Sequence, residues 1–69
     1  MKTNRKLLPY VIRTEIALSN TKTKFVVYVQ ILLLMSEFNK LVLSGEISDK
    51  NEIKSIESSI DKLLDTFAP

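Results

Sequence analysis

Two stretches of the chain hold apolar side chains on one face of a helix over equal spans: Tyr28, Ile31, Met35, Phe38 and Val42, then Ile53, Ile56, Ile60, Leu63 and Phe67. Steps of three, four, three and four residues draw one stripe along each helix, the seam of a helix pair. Gly45 lies in the short link between them and supplies the left-handed conformation that commonly closes a helix. The pattern predicts an antiparallel helical hairpin over 22–44 and 49–67.

The ends of these helices are legible to different degrees. Asp49 is a good N-cap, with Glu52 three residues on as the reciprocal member of a capping box, and Pro69 lies beyond the last helix. At the start of the middle helix Thr21 or Thr23 can cap, but Lys22 and Lys24 then face the positive end of the dipole. In an antiparallel hairpin those lysines would lie near Asp61 and Asp65. Between Phe25 and Met35 apolar residues occupy nearly all sides of the helix, so the last helix alone cannot cover it; the N-terminal segment or a second subunit must help.

The N-terminal segment reads in two ways. As a helix over 8–19, it tolerates Pro9 in its first turn and stacks Leu8, Ile12 and Ile16 four apart. As a strand, Tyr10 to Leu18 alternates and pairs with the β-branched run Phe25 to Val29, giving an N-terminal β-hairpin or ribbon followed by two helices. The helix is favoured because Tyr28 belongs to the seam of the middle helix, which a strand through Val29 would break. The expected fold is therefore all-α, one three-helix domain over 1–69, with 1–6 as a basic arm.

A chain of 69 residues buries only about 60% of the surface its unfolded form exposes. With no cysteine and no histidine, neither disulfides nor the usual zinc ligands can reinforce so thin a core. Association is the remaining route, and a homodimer or a protein partner is expected. The start, Met1 to Lys6, is basic, but Arg13 and Glu15 interrupt what a signal peptide would keep apolar. The longest apolar run, Phe25 to Met35, is eleven residues broken by Gln30, short of the roughly 20 a membrane span needs. Neither a leader nor a span is expected, and the absence of cysteine makes the cytoplasm the default location. Basic residues flanking the run leave interfacial attachment as a lesser reading.

Charge divides unevenly. Residues 1–24 carry six basic side chains and one acidic (+5), and residues 25–69 carry four basic and seven acidic (−3). Lys2, Arg5, Lys6, Arg13, Lys22 and Lys24 are candidate nucleic-acid contacts, since neutralising phosphates releases counterions. Glu57, Asp61 and Asp65 form an acidic row four residues apart, each like-charged pair costing a few tenths of a kcal/mol in isolation. A basic surface on a partner, or on a second copy, would relieve that cost. The candidate partner interface is accordingly Tyr28, Ile31, Met35 and Phe38 with Glu57, Asp61 and Asp65.

Catalysis has little to work with. Lacking histidine and cysteine, the chain has no imidazole base, no thiolate nucleophile and no common metal shell, so no catalytic residue, cofactor or metal is assigned. Ser59 to Lys62 spells the Ser-x-x-Lys pattern of penicillin-recognising enzymes, but nothing else in the sequence builds such a site. A strand at Lys24 to Ile31, a helix, the Gly45 turn and a second helix is similar in outline to the ribbon-helix-helix repressors. That resemblance implies a dimer laying a two-stranded ribbon in the major groove, with Lys24 and Gln30 available to read it. The leading expectation is a small non-enzymatic regulator or inhibitor acting by protein–protein interaction, of the kind phages and mobile elements encode. A nucleic-acid-binding transcriptional regulator is the alternative.

Overall fold

The computed structural model describes residues 4–20 and 23–68, in three helices: α1 Leu8–Asn20, α2 Lys24–Leu43 and α3 Lys50–Phe67. No strand occurs among the described residues. The β-ribbon reading is thereby corrected: Lys24 to Ile31 is the first part of a helix, and so is the stretch from Tyr10 to Leu18. The β-branched residues there follow the burial pattern of a helix, which outweighs their local preference for strands.

α2 packs against both α1 and α3. Its buried residues are Val27, Ile31, Leu34, Phe38 and Leu41, while Tyr28, Met35 and Val42 are half-buried. The seam is thus turned by about one residue from the expected stripe, keeping only Ile31 and Phe38. The cause is α1: with neighbours on two sides, the most enclosed line on α2 lies between them. α3 uses the expected stripe, with Ile60 enclosed and Ile53, Ile56, Leu63 and Phe67 packed on the core.

α1 turns the other way. Leu8, Ile12 and Ile16, expected to stack into the core, are exposed, whereas Thr14 is buried and Tyr10, Val11 and Ala17 lie half-buried. Small Ala17 permits close approach, and Thr14 can be buried because its hydroxyl donates to the Tyr10 carbonyl at 2.8 Å. Before the helix, Asn4 accepts backbone hydrogen bonds from Leu7 and Leu8, and its side chain accepts from the Lys6 amide. This turn sets Leu7 into the core at 1% exposure, so the basic arm is tied down from Asn4 onward. Residues 1–3, with Lys2, lie outside the described residues, as do Thr21, Lys22 and Pro69.

The link between α2 and α3 is closely specified. Gly45 has φ +82°, its amide donates to the Val42 carbonyl at 3.1 Å, and the Glu46 amide reaches Leu41 at 3.0 Å. These are the two bonds of a Schellman closure, and they place Ile47 inside the core. Asp49 then caps α3 by accepting from the amides of Asn51 and Glu52. The Glu52 side chain does not return a bond to the Asp49 amide, so only half of the expected box forms.

Candidate interaction surface

Two clefts flank α3. The larger lies between α1 and α3, over Leu34 of α2, with a volume of about 220 Å³. Leu7, Val11 and Leu18 line it from the α1 side, Ile56, Ile60 and Leu63 from α3. The polar groups in the lining are Thr14, Ser55, Ser59, Glu15 and Glu52, with no basic side chain. Thr14 is already satisfied within α1. What remains is an apolar trough with carboxylates at its edge, suited to an apolar surface carrying positive charge.

The smaller cleft, of about 200 Å³, is lined by Met35, Phe38, Asn39, Glu57, Ile60 and Asp61. It brings together four of the seven residues expected at a partner interface: Met35, Phe38, Glu57 and Asp61. Tyr28 is half-buried elsewhere on α2, and Asp65 is exposed further along α3. Ile31 and Phe38 are 0% and 1% exposed, so their packing is intramolecular. Among the described residues, no group of three or more carboxylates gathers at metal-binding distance, the Glu57, Asp61 and Asp65 row included.

The basic candidates scatter. Lys6 pairs with Glu46 of the α2–α3 link. Its ammonium is the main cause, with a hydrogen bond from Ser44 second, that holds the Glu46 carboxyl below its ordinary 4.5. Arg13 lies over the Tyr10 ring, 5.5 Å from its centroid, a cation–π arrangement. Arg5 is exposed in the turn before α1, and Lys24 is exposed at the start of α2. Lys24 forms no ion pair with Asp61 or Asp65, so the relief expected for that helix end is not found. Thr23 stands at the N-cap but its side chain makes no capping hydrogen bond.

Sequence reasoning missed the trough because its α1 wall comes from a face that the Leu8, Ile12 and Ile16 spacing assigned to solvent. It also missed Leu7 and Ile47, each outside a helix; the available signal was an apolar residue next to a turn-former, Asn4 before Leu7 and Gly45 before Ile47. Large exposed apolar residues also occur on α2, including Phe25, Val26, Val29 and Leu33, and Leu43 at its end is 88% exposed. By length and hydropathy alone, α2 is apolar enough to cross a bilayer, with 28% of its most apolar window buried inside the protein. No family model, curated protein or solved structure matches the chain.

Proposed function

We propose that the protein is a small non-enzymatic interaction module that regulates or inhibits another protein by presenting the trough between α1 and α3. The observation that supports this reading is the trough itself: an apolar concavity open along two helices, in a molecule that leaves many large apolar side chains on its outside. A concavity with a mainly apolar lining and a few polar groups at its edge is the usual form of a binding site. In this reading α2 and α3 act as an antiparallel hairpin, its link pinned by Gly45 and Asp49, and α1, packed on α2, supplies the opposite wall.

The test is affinity capture from host lysate with and without nuclease, using the wild-type chain beside Leu18→Glu. Leu18 lines the trough and is 40% exposed, so the charge alters the surface without entering the core. A stoichiometric protein that survives nuclease and is lost on Leu18→Glu is the expected result. Recovery of nucleic acid instead, with binding that falls steeply with salt, would replace this reading with one based on the basic residues.

A further inference from the structure

The trough is apolar below and acidic at its edge, and the chain carries a helix surface of the opposite character. Along the outside of α1, Leu8, Ile12 and Ile16 are exposed, and Arg5 and Arg13, also exposed, flank them. The stripe is about 12 Å long at 1.5 Å per residue. The trough's lining runs from Leu7 to Leu18 on α1 and from Glu52 to Leu63 on α3. Each of those spans is about 16 Å by the same rise, so the stripe fits within it. The net charges of the two parts of the chain, +5 over residues 1–24 and −3 over 25–69, favour the same pairing between molecules.

We infer that the occupant of the trough is the outer face of α1 from a second copy of this chain. The exchange is reciprocal. The stripe and the trough adjoin on the same helix, so one two-fold axis seats each α1 in the other's trough. Ile12, the middle of the stripe, is then seated against the apolar lining of the other copy's trough. On the far side of α1, Arg13 is then carried toward Glu52 on α3 of the second copy. This inference deepens the interaction reading above and rests on it.

The experiment is sedimentation equilibrium of the full chain, with far-UV circular dichroism as a folding control. The expected species is twice the 7.9 kDa chain mass. Ile12→Glu should weaken association by at least about tenfold, equivalent to about 1.4 kcal/mol, with helicity unchanged. Glu52→Lys and Arg13→Glu should each weaken it, and combining them should recover part of the loss. Phe25→Glu, on the exposed side of α2, should leave it unaltered. A wild-type chain that stays monomeric overturns the inference, as does a dimer broken by Phe25→Glu but not by Ile12→Glu. If the monomer still captures a protein that Leu18→Glu releases, self-pairing fails and the interaction module stands. If the chain only pellets with phosphatidylcholine vesicles containing phosphatidylglycerol, both fail.

Discussion

α1 and α3 carry apolar stripes of similar residue types, Leu8, Ile12 and Ile16 on one, Ile53, Ile56, Ile60 and Leu63 on the other, yet one faces solvent and the other the core. On α3 the remaining positions are almost all polar, so only one face can be buried. α1 offers a second apolar face through Tyr10, Val11 and Ala17, with Thr14 satisfied by its own backbone, and this face is the one that docks. Spacing tells which residues share a side of a helix. Which side is buried depends on what the competing side offers, and Leu7, anchored by the Asn4 turn, adds its weight to the docked one.

The largest expected effect tests that contrast directly. Ile60→Ala on α3 should destabilise the fold by about 2–5 kcal/mol through lost burial and a cavity, whereas Ile12→Ala on α1 should cost well under about 1 kcal/mol. Urea unfolding of the two variants at a concentration where the chain is monomeric decides; similar losses there would mean that the α1 stripe is interior to the single chain.

The helix starts sharpen the comparison at smaller magnitude. Asp49→Ala removes the acceptor for two α3 amides and should cost about 1 kcal/mol. Thr23→Asp, placed where α2 lacks a side-chain cap and begins with Lys24, should stabilise by about 0.5–1 kcal/mol. Thermal melts of the two variants should shift in opposite directions.

Gln30 tests the surroundings of α2. Its side-chain nitrogen is buried without a hydrogen-bond partner, in a helix whose neighbouring positions are apolar. Gln30→Met should therefore be neutral or stabilise by up to about 1 kcal/mol, and a loss in denaturant midpoint would show that the amide is satisfied.

The smallest effect concerns Glu46. Its carboxyl is held below the ordinary 4.5 in the folded chain, chiefly by Lys6, so it favours folding above that pH and the contribution disappears as pH falls through the lowered value. Melting temperatures of wild type and Glu46→Gln should differ slightly at neutral pH and converge in acid. Because the pair is open to water, added salt should narrow the difference too.

Much of the fold was legible in the sequence. The Gly45 closure, the Asp49 cap and the α3 stripe each rest on a local signal with one interpretation, whereas α1 and the first part of α2 also fit a strand pattern. The rotation of the α2 seam was not legible, because a helix apolar on nearly every side has no preferred face until its neighbours are placed. The α1 wall of the trough was hidden for the same reason. Of the smaller cleft, Met35, Phe38, Glu57 and Asp61 were legible in the sequence, since apolar and acidic residues at helical spacing fall near each other once two helices pack.

The Lys6 to Glu46 pair joins residues forty positions apart. Closing a flexible loop of that length costs on the order of 3 kcal/mol in chain entropy, and a water-exposed ion pair offsets little of it. The pair is consequently an effect of docking and not its cause: the burial of Leu7 and Ile47 brings the two ends together, and the charges record that they have met. A spectroscopic probe across those two positions would report the arrival of the N-terminal turn on the core, independently of how much helix the chain has already formed.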